Sequence, residues 1–245
     1  MWQVAGLSLA PSFARFSIVA LVLCTSGVLF VSGPAFAQSQ VQLPTIPEPV
    51  AVSVDSRTTA LLSLDFVESI CPRFERCMEG VPSAASFLAQ ARDHNVLIVH
   101  TGATAQLPAV APIGGETPDE ANRNRFSAAG SGTQSHSEEL IIPGNGPDKF
   151  VETNLESALR RRGIDTLIIQ GFAANRAVMY TAMDATMRGY TVVVPVDGAP
   201  GIAAGFDELV AHYQLLTQTG RTNANNSPLA PEAVTLSRSD LITFR

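Results

Sequence analysis

Short apolar runs alternating with stretches of helical spacing leave this chain few ways to fold. The runs are Thr59–Asp65, Asn95–Thr101, Glu139–Pro143, residues 165–170 and Tyr190–Pro195. Each is nearly continuous in Leu, Ile and Val, the pattern of strands buried on both faces. Between and after them the spacing predicts helices over Pro82–Arg92, Asn154–Arg162, about 175–187 and about 206–218. Thr153 is placed to cap the second helix and Gly163 to end it. A weaker strand is expected near Val234–Ser237. Strands separated by single helices build a parallel sheet covered on both faces. Ligands of such sheets sit outside the carboxyl ends of the strands.

The amino-terminal segment follows a different rule. Residues 1–37 hold one charged side chain, Arg15, then an apolar run from Phe16 to Val31 and the sequence Gly33-Pro-Ala-Phe-Ala37. That order reads as a secretory signal peptide cleaved after Ala37, which places the mature protein in the periplasm or outside the cell. An uncleaved membrane anchor is the alternative, since the run is nearly long enough to span a bilayer. Residues 38–56, rich in Pro, Gln and Val, read as an extended arm, and 57–245 as one domain. The net charge of −6 becomes more negative once Arg15 is removed. The acidic balance with no basic run argues against nucleic acid or an anionic membrane as a partner. A polar, Gly-rich region at about 102–137 is too long for a plain connection and reads as a functional loop or lid.

Cys24 leaves with the leader, so the mature chain keeps Cys71 and Cys77. In an oxidising compartment these suggest a local disulfide worth about 2–3 kcal/mol. Two free thiols and a relocated nucleophilic or redox cysteine remain open. A zinc pair lacks neighbouring ligands, and His94, His136 and His212 are scattered. No metal and no cofactor are expected.

Three elements converge on the crevice. Asp65 ends the first central run, Lys149 lies in the loop Gly144-Asn-Gly-Pro-Asp-Lys-Phe150, and residues 171–177 form the turn from strand to helix. Asp65 could equally be a turn or capping aspartate, and Lys149 a solvated surface lysine. A side chain in the first turn of the 175–187 helix sits among unpaired backbone N–H groups, where a thiol would be acidified. Position 177 carries alanine.

The run Leu-Ser-Leu-Asp65-Phe, the block Arg162-Gly-Ile-Asp-Thr-Leu-Ile-Ile-Gln-Gly171, and Ala174-Asn-Arg-Ala-Val-Met-Tyr-Thr-Ala-Met-Asp-Ala185 with Arg188-Gly-Tyr-Thr-Val-Val-Val-Pro-Val-Asp197 resemble the isochorismatase-like hydrolase family. The resemblance covers about residues 57–200. It implies an α/β three-layer sandwich with a six-stranded, mainly parallel sheet, and an Asp–Lys–Cys triad acting on small amides, ureas or nitriles. Asp65 takes the aspartate position, and the cysteine position falls on Ala177. The family's oxyanion turn, with its non-proline cis peptide, falls on Phe172–Ala173. Counted without a gap, the lysine position falls on Gly144, five residues before Lys149. The Gly-Pro-Asp-Lys-Phe and Ala-Ala-Asn sequences resemble a branch of the family that lacks the cysteine.

The resemblance also implies what could react without a thiol. Isochorismatases of the family hydrolyse a vinyl ether, with the aspartate as proton donor. Alternatively Asp65 acts as base for water, and backbone N–H groups of 173–177 hold the oxyanion. A small molecule is the expected substrate. A catalytically inactive binding protein that kept the fold is the competing reading. His100, Asn175, Arg176 and Tyr180 are candidate substrate contacts, each with a packing, capping or surface role as the alternative; Arg73 is a weaker one. Family habit implies a homo-oligomer.

Overall fold

The computed structural model describes residues 48–113, 139–144, 146–203, 205–217 and 234–245. The expected signal peptide, most of the arm, His136 and residues 114–137 of the expected lid lie outside them. The described strands are β1 (Val52–Val54), β2 (Thr59–Leu64), β3 (Leu97–Thr101), β4 (Leu140–Ile142), β5 (Thr166–Gly171), β6 (Thr191–Pro195), β7 (Thr235–Ser237) and β8 (Ile242–Phe244). The helices are α1 (Glu75–Asp93), α2 (Leu155–Arg161), α3 (Met179–Met187) and α4 (Phe206–Thr217).

Six strands form one sheet in the order β4-β3-β2-β5-β6-β7. Every pairing in it is parallel. The chain first builds outward from β2 through β3 to β4, then returns to lay β5 on the other side of β2. Strand order therefore reverses between β2 and β5, and the crevice of an open α/β sheet opens at that reversal. Asp65 follows β2 and the 172–178 turn follows β5, so both border it.

Alternation along the strands sorts the core into two layers. Leu62, Leu64, Val99, Ile169 and Val194 pack with Leu155, Leu159, Ala182, Ala185 and Leu215 of α2, α3 and α4. Leu61, Ile98, Ile168 and Val193 pack with Val81, Ala84, Phe87 and Leu88 of α1. Helices on both faces of a parallel sheet give the three layers expected.

Three local readings are corrected. Helix α1 begins at Glu75, ahead of Pro82, which lies inside it. Proline removes the hydrogen bond to the carbonyl four residues back. Here that residue is Met78, on the exposed side of the helix, where water can meet the carbonyl. Second, the helix expected from about 175 opens with a wide π turn over Ala174–Val178. Third, two strands were not anticipated. Val52–Val54 pairs in parallel with Ile242–Phe244, and Phe244 stacks on Phe87 at 5.8 Å between centroids. The end of the expected arm is thereby sewn to the end of the chain, with Val54, Ile242 and Phe244 joining the α1-side core.

Candidate active site

Strand β2 delivers Asp65 to the crevice with its backbone in the left-handed region, at φ 56°. Aspartate tolerates that region better than most residues. The Asp65 N–H donates to the Thr101 carbonyl at 3.1 Å, which fixes the turn to the end of β3. Lys149 arrives from the opposite side, and its Nζ lies 2.9 Å from Asp65 Oδ1 and 2.7 Å from Oδ2. A third bond runs from Nζ to the Gly146 carbonyl at 2.8 Å. All three ammonium protons are thus satisfied. Lys149 is 1% exposed and Asp65 9%, so this is a buried ion pair.

Two threonines hold the lysine loop. The Lys149 N–H donates to Thr181 Oγ1 of α3 at 3.1 Å. Thr153 Oγ1 donates to the Lys149 carbonyl at 2.6 Å and accepts the Leu155 N–H at 3.2 Å. The N-cap position of α2 is Asn154, one residue after the expected Thr153, and its side chain makes no capping bond. The loop is therefore anchored to α3 and to the start of α2. Burial pushes the Asp65 carboxyl above its ordinary value, and the Lys149 charge and hydrogen bond pull against that rise. Such a carboxyl can exchange a proton nearer neutrality than a solvated one.

The third wall is the turn after β5. The Phe172–Ala173 peptide is cis, at the position expected. Phe172 N–H donates to the Leu64 carbonyl at 2.9 Å, and Ala174 N–H to the Pro200 carbonyl at 2.9 Å. Phe74 packs on Phe172 with centroids 5.1 Å apart. Cys71 and Cys77, which flank Phe74, form the expected disulfide with Cα atoms 5.1 Å apart. Ala177 is 2% exposed and belongs to the core layer shared with α3.

Gly171 makes the close approach of β5 to β2 possible. Its φ is 143°, and a Cβ there would lie 2.3 Å from the Leu64 carbonyl oxygen. Gly171→Ala is expected to cost about 3 kcal/mol or more. Gly163→Ala, at φ 68° with nothing within 4 Å of its Cβ, should cost about 1 kcal/mol. Thermal unfolding of the two variants side by side measures the difference.

The other candidate contacts differ in setting. His100 is fully buried and bonds Glu139 through Nε2 at 2.6 Å. Alternation from Ile98 puts its ring on the α1 side of the sheet, where Arg92 also holds Glu139 at 2.6 Å. Tyr180 is 49% exposed on α3, and Arg176 and Arg73 are also exposed. Asn175 is half-buried with an unpartnered Oδ1. The family's lysine position, Gly144, sits against Thr153 instead. Sequence reading did not single out Gly146, Thr181, Thr153's bond to Lys149, or Gln106. The one available signal was Gly102, directly after Thr101, whose φ of 146° lies in the region that favours glycine.

A second carboxyl lies beside the lysine. Burial raises Asp148 to about 6, the Phe150 N–H opposes, Asp184 across a shared hydrogen bond adds to the rise, and Arg188 opposes. The folded chain therefore keeps a proton that an unfolded aspartate releases near 3.8. The stabilisation is complete below about pH 4 and is lost as pH rises through about 6. Screening of this half-exposed pair limits the effect to about 1 kcal/mol. Asp148→Asn should flatten the fall in melting temperature between pH 4 and 7, as read by thermal scans across that range.

Among the described residues no group of His, Cys, Asp and Glu could hold a metal ion, and no helix is long and apolar enough to cross a membrane. The isochorismatase domain matches residues 59–218. The maleamate amidohydrolase of Pseudomonas putida is 28% identical over 149 residues, covering 56% of this chain and 70% of the relative. An isochorismatase family protein of Escherichia coli is 30% identical over 164 residues, covering 62% and 85%. A solved cysteine hydrolase from Pseudomonas syringae pv. phaseolicola superposes with a TM-score of 0.56 at 17% identity, covering 79% of this chain and 94% of that one. With its mainly parallel α/β sheet and a matching domain over most of the chain, the protein belongs to the isochorismatase family.

Proposed function

We propose that this chain is a hydrolase of small amides or related C–N and C–O compounds that works without a cysteine nucleophile. The buried Asp65–Lys149 pair, closed at 2.7 Å, is the observation that carries the reading. A pocket that had lost its chemistry would have no need to hold this charge pair out of water, given its desolvation cost. Alanine at 177 offers no attacking atom, so water is the nucleophile. Asp65 takes the proton as water attacks the carbonyl carbon, and the turn at Phe172, Ala173 and the residues to Ala177 faces the developing oxyanion. Asp65 then returns the proton to the leaving nitrogen or oxygen. Lys149 replaces the family lysine from a shortened loop and holds the carboxylate in place. The amide class is supported by the likeness to a maleamate amidohydrolase. Turnover of a panel of amides, esters and enol ethers, maleamate included, tests this; ligand-dependent melting shifts with no product from any of them would instead establish the binding-protein reading.

Export belongs to the same reading. Residues 1–37 act as the leader, and the Cys71–Cys77 disulfide suits the oxidising compartment it leads to. Mass analysis of the protein from its native host should show a chain beginning at Gln38; a chain beginning at Met1 would identify an anchor. The assembly is a homo-oligomer, supported by Tyr180, Met187, Phe206 and Tyr213 exposed on α3 and α4. Its native mass measures that directly.

A further inference from the structure

The start of helix α1 backs the turn after β5 and the segment that supports it. Phe74, the residue ahead of Glu75, packs its ring on Phe172 with centroids 5.1 Å apart. Arg76 pairs with Glu208, whose Oε1 accepts the Gly201 N–H at 3.1 Å. Gly80 lies against Pro200, so close that a Cβ there would come within 2.8 Å of Pro200 Cγ. The Pro200 carbonyl in turn accepts the Ala174 N–H at 2.9 Å. Residues of α1 therefore hold the turn on either side of Ala173, directly at Phe172 and through Pro200 at Ala174.

Phe74 is a poor choice for its place in the helix. It occupies the N-cap of α1, where Ser, Thr, Asp or Asn would satisfy a backbone N–H, and its side chain makes no capping bond. The ring is used for packing across to Phe172 instead. The disulfide fixes it there. Cys71 and Cys77 are fully buried and bonded to each other on either side of Phe74. Phe74 N–H donates to the Cys71 carbonyl at 2.9 Å, and Cys77 N–H to the Phe74 carbonyl at 3.0 Å. Cys71 also reaches the opposite wall of the site. Its Sγ lies 3.9 Å from the Asp65 carbonyl oxygen, and its N–H donates to the Val67 carbonyl at 3.0 Å. A covalent bond thus joins the segment that follows Asp65 to the helix that backs Phe172.

We propose that Phe74 is a positioning residue, and the Cys71–Cys77 disulfide the brace behind it, together setting the Phe172–Ala174 turn against Asp65. Such bracing matters because a displacement of about 1 Å between reacting groups costs about 10²-fold in rate. The two parts of the brace act on different walls. Without the Phe74 ring the turn loosens while Cys71 still holds the Asp65 segment. Without the disulfide both walls loosen. That the turn faces an oxyanion rests on the hydrolase reading of the site; that Phe74 holds the turn does not.

Amide hydrogen exchange of the whole protein, read residue by residue by NMR, tests this. Two N–H groups report on the turn, Phe172 bonded to the Leu64 carbonyl and Ala174 bonded to that of Pro200. The Asp65 N–H, bonded to the Thr101 carbonyl, reports on the other wall. The Asp165 N–H, bonded to the Thr58 carbonyl at 2.9 Å at the far end of the β2–β5 pair, is the control. In Phe74→Leu the Phe172 and Ala174 groups should exchange about tenfold faster while Asp65 and Asp165 keep their wild-type rates. Phe74→Tyr, which keeps a ring, should show wild-type rates throughout. The double variant Cys71→Ala with Cys77→Ala should free the Asp65 N–H as well; where it fails to fold, the two Phe74 variants still decide. Unchanged rates at Phe172 and Ala174 in Phe74→Leu, an equal rise at Asp165, or an Asp65 N–H still protected in the folded cysteine variant would overturn the proposal. Exchange needs no turnover. An inert protein with this pattern sinks the hydrolase reading alone, and an active one without it sinks the bracing alone.

Discussion

Asp65→Asn is expected to lower kcat/KM on an amide substrate by about 10²–10⁴-fold, the usual contribution of a positioned acid–base group. Asparagine keeps the shape and an oxygen for Lys149 but can neither take a proton from water nor return one. The raised position of the Asp65 carboxyl, set by burial against the pull of Lys149, gives wild type a limb in its pH–rate profile above the ordinary carboxylate range. That limb should vanish in the variant. Steady-state kinetics across pH 4–8 reads both effects. An Asp65→Asn protein that is folded and turns over at the wild-type rate would remove Asp65 from the mechanism.

Lys149→Met should have the largest effect on stability. Removing one partner of a buried ion pair leaves the other charge uncompensated, a loss of about 3–5 kcal/mol. For a domain of this size that is a fall of roughly 10 °C in melting temperature. It also removes the influence that lowers Asp65, so the carboxyl rises further and the pH–rate limb moves to higher pH. The double variant Asp65→Asn with Lys149→Met should recover part of the lost stability, because neither charge is then stranded. Additive losses in this double-mutant cycle would mean that the two side chains act independently, against the contacts at 2.7 and 2.9 Å.

How much of this was legible in the sequence depended on whether the signal was local. The runs that became β2, β3, β5 and β6 are nearly continuous in apolar residues, which face both core layers. Strands β1 and β8 have three residues each and are made by pairing across the whole chain, which no local pattern announces. Pro82 marked a helix start by the usual rule, but the helix begins seven residues earlier because the site of the lost hydrogen bond faces water. Asp65 was readable because it ends a strand at the crevice. Lys149 was readable only as a lysine nearby, since its reach depends on how Thr181 and Thr153 fold the loop. His100 was misplaced although period-two alternation from Ile98 already assigned its face.

Water attack at an Asp65–Lys149 pair is most directly tested by a single turnover in ¹⁸O-labelled water with enzyme in excess over an amide substrate, followed by mass analysis of product and protein. The expected result is acid product carrying the label from the first turnover, with no adduct on the quenched protein. Unlabelled first-turnover product with label entering Asp65, or a trapped acyl adduct on any side chain, would contradict the account.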